Sequence, residues 1–140
     1  MKLDSRQFSK TAHAGLMALR NGANGAKDHD CQLQEVHWGK ASRLVQGLAA
    51  YISTWGLHRL SGDAKRFLAG KGEDTKYKGK VYLEFLYQLE SFSQQKFDPK
   101  QETDLINMPL PQYAALNRLA MQLAKEWAFW APAVLGEDTE

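Results

Sequence analysis

Apolar residues recur along this chain at intervals of three and four positions, which places them on one face of an α-helix. Asp4 or Ser5 is suited to cap the beginning of a first helix, and the pair Asn21-Gly22 is suited to end it. The apolar face between these limits comprises Phe8, Ala12, Leu16 and Leu19. The sequence therefore begins with a predicted amphipathic helix.

The same spacing continues to the end of the chain, interrupted by polar or glycine-containing breaks. Asp98-Pro99 is typical of a helix start, and Pro111 opens the last predicted helix in the same way. No segment alternates with a period of two for long enough to predict a strand. We therefore predict an all-α fold, a compact bundle of five or six helices forming one domain over residues 1–140. After the first helix, the predicted segments are 33–54, 57–69, one beginning between 75 and 80, 98–107, and one beginning near 111.

The last predicted helix ends in a crowd of aromatic residues, KEWAFW, shortly before a proline. Pro132 lacks a backbone N–H and disfavours helix at Ala131, so we expect the helix to end or kink there. Trp127 falls on the apolar face and is expected to close the core of the bundle. Phe129 lies off that face, and we predict a protein interface at Phe129 and Trp130. The apolar face of this helix comprises Leu116, Ala120, Leu123, Trp127 and Trp130.

Composition is ordinary for a globular domain: 140 residues, 44% hydrophobic, with a net charge of +2. The single Cys31 excludes an internal disulfide and favours a reducing compartment. The first residues lack the apolar core of a signal peptide, and no apolar run reaches the roughly 18 residues of a spanning helix. We therefore expect a cytoplasmic protein without a membrane partner.

One cluster has metal-ligand chemistry, namely Asp28, His29, Asp30 and Cys31 with His37 downstream. No paired CxxC or HExxH spacing accompanies it, so a polar loop is predicted in preference to a metal site. Neither a GxSxG elbow nor a phosphate-cradling GxxxxGK[ST] loop is present. We expect no catalytic residues, no metal and no cofactor, and a metal-dependent enzyme ranks last among the functional hypotheses.

The charge distribution is uneven. Residues 59–80 carry seven basic and three acidic side chains, a net charge of +4, with Tyr77 among the lysines. Lysines of this density form either a solvated face or a surface that contacts phosphates, and the sequence leaves both interpretations open. On the second interpretation, the predicted nucleic-acid-binding residues are Lys40, Arg43, Arg59, Lys65, Arg66, Lys71 and Arg118.

The order of these features over residues 40–134 is similar to that of a known family, and the most specific points are Gly56-Leu57, Gln112-Tyr113, Arg118 and Trp127. Four segments carry the similarity: LAAYISTWGL (48–57), FLAGKG (67–72), VYLEFLYQL (81–89) and QYAALNRLAMQLAKEWAFWA (112–131). Together they resemble the small all-helical subunit of type III-B (Cmr-type) CRISPR effector complexes.

This resemblance implies a non-catalytic subunit. Its expected partners are other subunits of a CRISPR effector complex, neighbouring copies of itself stacked along the backbone subunits, and the backbones of crRNA and target RNA. The family commonly has a Lys-Arg pair after its C-terminal tryptophan, whereas Ala128, Phe129 and Trp130 follow Trp127 here. We therefore expect an apolar subunit contact at this turn. Two alternatives remain: the small subunit of a type III-A complex, and a helical protein–protein adaptor without a nucleic-acid role.

Overall fold

The computed structural model describes residues 4–22 and 31–137. Within these two ranges no residue forms a β-strand, so the predicted all-α bundle is confirmed. A 3-10 turn at Glu35–His37 precedes the second helix. The α-helices in these ranges are α1 Ser5–Asn21, α2 Trp38–Gln46, α3 Leu48–Trp55, α4 Leu57–Leu68, α5 Glu73–Ser93, α6 Glu102–Ile106 and α7 Leu110–Leu135.

The first helix forms as its sequence predicts. Asp4 is its N-cap, and its Oδ1 accepts a hydrogen bond from the Arg6 N–H at 2.9 Å. The helix ends at Gly22, which has a φ of 88° and donates its N–H to the Ala18 carbonyl at 2.8 Å. A positive φ is accessible to glycine at little cost, which is why the chain turns away there.

The second predicted helix is divided. α2 ends at Gln46 and α3 begins at Leu48, so Gly47 is the single residue between them and its N–H bonds to the Leu44 carbonyl at 3.1 Å. Glycine weakens a helix interior by about 1 kcal/mol relative to alanine, which makes this position the favoured place for a break. The division raises the number of α-helices above the predicted five or six, to seven among the described residues.

α7 is the central element of the bundle. α1 packs along it, α2 and α3 cover another of its sides, and α5 packs against both α1 and α4. Trp127 and Leu123 are fully buried, as predicted. The Phe85 ring of α5 meets the Trp127 ring edge-on at 5.2 Å between centroids. On α1, a Cβ at Gly15 would lie 2.5 Å from Trp127 Cζ2, so glycine makes room for the indole.

The predicted end of the helix at Ala131 is wrong, because α7 continues through Pro132 to Leu135. A proline cannot donate to the carbonyl four residues earlier, which here belongs to Ala128. The side-chain Nε2 of Gln46 on α2 donates to that carbonyl at 2.9 Å instead. A neighbouring helix therefore satisfies the acceptor that the proline leaves without a backbone donor.

The short sixth helix begins later than predicted. Asp98 forms a turn rather than a helix cap, with Oδ1 accepting from the Lys100 N–H at 2.9 Å. The backbone N–H of Asp98 donates to Asp104 Oδ2 at 2.8 Å. The turn is fastened to α4, since the buried Ser61 hydroxyl donates to the Pro99 carbonyl at 2.9 Å. None of the helices in the described ranges is both long and apolar enough to cross a membrane.

Candidate nucleic-acid interface

A groove of about 630 Å³ lies between α2 and the start of α5, and three cations line it. Lys40 and Arg43 stand on α2, one helical turn apart. Lys78 reaches the groove from α5. The apolar face of α2 carries the fully buried Ala41 and Val45, so burial of that face leaves the two basic side chains on the outer side of the helix. The groove is lined by Lys40, Arg43, Leu44, Gly47, Asp74, Tyr77 and Lys78.

Tyr77, which lines the groove, is stacked on the ring of His37. The rings of His37 and Tyr77 lie 5.1 Å apart between centroids and only 11° from parallel, and both residues are buried. The stack joins the 3-10 turn before α2 to α5. Because Tyr77 is buried, its ring does not offer a face on which a base could stack. The groove therefore presents charge and hydrogen-bonding groups rather than aromatic surface.

One carboxylate shares the groove with the three cations. Asp74 Oδ1 lies 3.3 Å from His37 Nε2 and 3.9 Å from Lys40 Nζ. The Asp74 side chain is 83% exposed, so this is a solvated pairing rather than a buried one. Among the described residues that line the groove, three cations accompany one carboxylate, so this set carries a net positive charge.

A further aromatic ring connects the groove to α4. Lys78 Nζ lies 5.5 Å from the centroid of the Phe67 ring, and Arg66 Cζ lies 4.5 Å from the same centroid. Both distances are within the range of cation–π attraction. Arg66 is thus placed next to the groove cations, although it comes from a different helix.

The basic surface continues along α4. Arg59 is seven residues before Arg66 and so shares its helical face, with its guanidinium 4.6 Å from the centroid of the Trp55 ring. Between them, Asp63 accepts from Arg66 Nη2 at 3.1 Å and from the Tyr51 hydroxyl at 2.6 Å. Burial, and then the hydrogen bond to the Asp63 carboxylate, raise the pKa of Tyr51 above its ordinary value. This network fixes Arg66 and leaves Arg59 exposed.

The structure therefore groups four of the seven predicted residues and separates three. Lys40 and Arg43 lie in the groove, and Arg66 and Arg59 extend it along α4. We call this surface the groove-and-row, comprising Lys40, Arg43, Lys78, Arg66 and Arg59.

The other three predicted residues lie elsewhere. Lys65 projects from a different side of α4 and pairs with Glu102 Oε1 at 3.3 Å. Lys71 is exposed in the turn between α4 and α5. Arg118 lies on the outward face of α7, seven and eleven positions before the exposed Lys125 and Phe129.

Lys78 was missed as a site residue by sequence reasoning. It belongs to the basic run 76–80, but a count of charges does not tell which lysine of a helix faces a neighbour. The signal lies in the helical period: Tyr77 and Val81 are buried, so Lys78 occupies a position beside the buried face and at the rim of the groove.

Of the two residues predicted to form a protein interface on α7, one is exposed and the other is partly buried. Phe129 is 70% exposed, whereas Trp130 is partly buried. The Trp130 Nε1–H donates to Glu126 Oε1 at 3.3 Å, and the same oxygen accepts from the Ser9 hydroxyl at 2.6 Å. Trp130 therefore helps to fasten α1 to α7, and Phe129 is the aromatic side chain offered to solvent.

A second apolar surface was not predicted. It surrounds a cleft of about 250 Å³ at the beginning of α7, where the exposed Ile106 and Leu110 stand over Tyr113. The Tyr113 hydroxyl lies 2.7 Å from His58 Nδ1. The close approach depends on Gly56, because a Cβ there would collide with the Tyr113 hydroxyl. We call this surface the α6–α7 cleft, lined by His58, Leu105, Ile106, Met108, Leu110 and Tyr113.

The candidate metal cluster falls mainly outside the described residues, because Asp28, His29 and Asp30 lie in the undescribed range 23–30. Cys31 is buried and packs in the core instead of lying in a solvated loop. His37 is committed to the Tyr77 stack and to Asp74. Across 4–22 and 31–137, no three His, Cys, Asp or Glu side chains form a group that could hold a metal ion.

The chain was compared with protein-family models, curated proteins and solved structures. No protein-family model, no curated protein and no solved structure matches the chain.

Proposed function

We propose that this chain is a non-catalytic small subunit of a type III CRISPR RNA-guided effector complex, which contacts the backbones of crRNA and target RNA. The observation that carries the proposal is the groove-and-row, in which cations from α2, α4 and α5 converge on one surface. The assignment to an effector complex rests on the resemblance of residues 40–134. A type III-A complex is the nearest variant of the same proposal.

The chemistry of the surface favours phosphate over base recognition. Lysine and arginine neutralise phosphates, and the free energy gained when condensed counterions leave the nucleic acid does not depend on base sequence. Tyr77 is the aromatic residue among the described residues that line the groove, and its burial leaves no exposed ring among them on which an unpaired base could stack. We therefore propose that this surface binds the backbone of an RNA duplex or strand without recognising its base sequence.

The first experiment tests the groove. Lys40→Ala, Arg43→Ala and Lys78→Ala are combined, and binding of a labelled RNA is measured at several salt concentrations. Each lost phosphate contact lowers the magnitude of the slope of log affinity against log salt by about 0.7–0.9, so the loss of two or three contacts lowers it by about 1.4–2.7. The matched control combines Lys10→Ala, Lys96→Ala and Lys125→Ala, three exposed lysines outside the groove.

The expected result is weaker binding and a flatter salt dependence for the groove variant alone, with equal affinity for unrelated RNA sequences in the unsubstituted protein. Equal losses of RNA affinity in both triple variants would show that RNA binding depends on overall positive charge and not on the groove. Isolated subunits bind weakly when a natural assembly uses several copies, so the measurement is repeated on the complex reconstituted with type III backbone subunits and crRNA. Failure of the chain to co-elute with those subunits contradicts the assignment to the complex.

A second candidate function is a helical adaptor without a nucleic-acid role, and the α6–α7 cleft favours it. Exposed Ile106 and Leu110 beside a cleft are typical of a protein-binding surface. Ile106→Glu with Leu110→Glu discriminates the two functions. If the adaptor is correct, this double variant loses association with the partner protein, while the groove triple variant keeps that association and its affinity for RNA does not differ from that of the unsubstituted protein.

A further inference from the structure

Among the described residues that line the groove, Asp74 is the one carboxylate. It stands in the first turn of α5, and its Oδ1 faces Lys40 of α2 at 3.9 Å and His37 at 3.3 Å. Its side chain is largely exposed to solvent. An acceptor oxygen thus already occupies the space in front of a groove cation.

The position of Asp74 is stabilised from both helices. A negative charge in the first turn of a helix interacts favourably with the helix dipole, and Lys40 supplies a positive partner across the groove. His37 is held by its stack on Tyr77, so it gives the carboxylate a fixed neighbour. Nevertheless the pairing is solvated, and such pairs are weak enough to exchange with another anion.

We propose that Asp74 is an internal competitor for phosphate that sets the selectivity of the groove. In the free protein its carboxylate lies 3.9 Å from Lys40 Nζ, and a phosphodiester competes with it for that lysine. A single phosphate gains little by this exchange, whereas a polyanionic backbone also gains the contacts to Arg43, Lys78 and Arg66. Asp74 therefore favours extended nucleic acid over small anions. The inference rests on the proposed function.

Two measurable consequences follow. Removing the Asp74 charge removes a repulsion a few ångströms from the bound phosphate, which corresponds to about 3- to 10-fold tighter RNA binding at low salt. It also frees Lys40 to neutralise a phosphate with release of its counterion. The slope of log affinity against log salt therefore steepens by about 0.7, the contribution of one contact to a single strand.

The experiment compares Asp74→Asn with Glu73→Gln in titrations of a labelled single-stranded RNA. Asparagine keeps an Oδ1 acceptor for His37. The control removes the same charge from the same helical turn at a residue that does not line the groove. We expect tighter binding and the steeper slope for Asp74→Asn and less than about a 2-fold change for Glu73→Gln. In a Lys40→Gln background, the slope change caused by Asp74→Asn should disappear.

Competition with inorganic phosphate tests selectivity directly. For each protein, the phosphate concentration that displaces half of the RNA is divided by the affinity of that protein for RNA. This corrected concentration should be lower for Asp74→Asn than for the unsubstituted protein. If melting shows that Asp74→Asn has lost structure, Asp74→Ser removes the charge while keeping a side chain suited to a helix start.

The outcomes separate the inference from the proposed function. If the groove triple variant weakens RNA binding but Asp74→Asn behaves like the unsubstituted protein or like Glu73→Gln, the competitor role is overturned and the RNA-binding groove stands. A triple variant that binds RNA as the unsubstituted protein does overturns both.

Discussion

At the scale of single residues, the bundle is organised around Trp127. Its indole is fully buried, meets Phe85 edge-on and occupies the space left by Gly15 on α1. Interiors are packed as densely as organic crystals, so a ring of this size leaves a large void when it is removed. Phe129, only two residues later, is exposed and has no such role.

Trp127→Ala is expected to lower the free energy of unfolding by about 3–5 kcal/mol, because it removes buried apolar surface and leaves a cavity. Phe129→Ala is the control in the same helix and should change that free energy by no more than about 0.5 kcal/mol. Denaturant unfolding of both variants measures the difference. Equal stabilities would contradict the central position of Trp127 in the core.

Tyr82 predicts a pH dependence. Burial, followed by the negative charge of Asp63, raises the pKa of Tyr82 to about 12. Since the unfolded value is about 10, the neutral phenol stabilises the folded state below pH 10, and this contribution is lost as the pH rises through 12. Tyr82→Phe should therefore flatten the loss of stability between pH 10 and 12. Identical pH profiles of the variant and the unsubstituted protein would contradict the raised pKa.

At the scale of elements, α7 continues through Pro132, and α2 supplies a hydrogen bond that the proline cannot make. The Gln46 side chain donates to the Ala128 carbonyl, the acceptor that residue 132 would otherwise satisfy. The contact also fastens the end of α2 to the last turns of α7.

Gln46→Ala should destabilise the protein by about 0.5–1 kcal/mol, the net value of one hydrogen bond. In a Pro132→Ala background the same substitution should cost almost nothing, because the alanine that replaces the proline has a backbone N–H to donate to the Ala128 carbonyl. A double-mutant cycle by thermal or chemical unfolding measures this coupling. Gln122→Ala, at an exposed position of α7, is the control. Additive effects of Gln46→Ala and Pro132→Ala would show that the bond is unimportant.

At the scale of the whole molecule, some basic residues form the groove-and-row and others lie apart from it. Arg59 and Arg66 continue from the groove along α4, whereas Lys65 pairs with Glu102 at a separate cleft beside the turn at Pro99. The apolar α6–α7 cleft is lined by none of these basic residues. The charged and apolar surfaces are therefore distinct and available for different partners.

The division of cations gives a prediction for RNA affinity. Arg59→Gln with Arg66→Gln should weaken RNA binding and flatten its salt dependence, because both residues lie on the groove-and-row. Lys65→Gln with Lys71→Gln removes equal charge and should change affinity by less than about 2-fold, since neither residue lies on that surface. The two double variants are compared at one salt concentration and then across a salt series. A larger effect of the lysine pair would contradict the assigned surface.

Local pattern was sufficient to predict most of the helices. The ends of α1 and the extent of α4 agree with their caps and apolar spacing, and the burial of Trp127 and Leu123 follows from the face they share. These features depend on residues within one turn or two of each other. The break at Gly47 was missed because flanking apolar spacing continues across it, although glycine is a residue that weakens a helix interior.

The sequence by itself determined that this chain folds as helices and which face of each helix is buried, because apolar periodicity acts within an element. Only the tertiary structure decided that Lys40, Arg43 and Lys78 meet in one groove, with Asp74 among them, and that Lys65 and Arg118 lie apart. It also decided that α7 continues through Pro132, and that a glutamine 86 positions earlier in the chain donates to the carbonyl that this proline leaves without a backbone donor. Such outcomes depend on which faces of distant helices pack together, and a period of three to four residues carries no information about that.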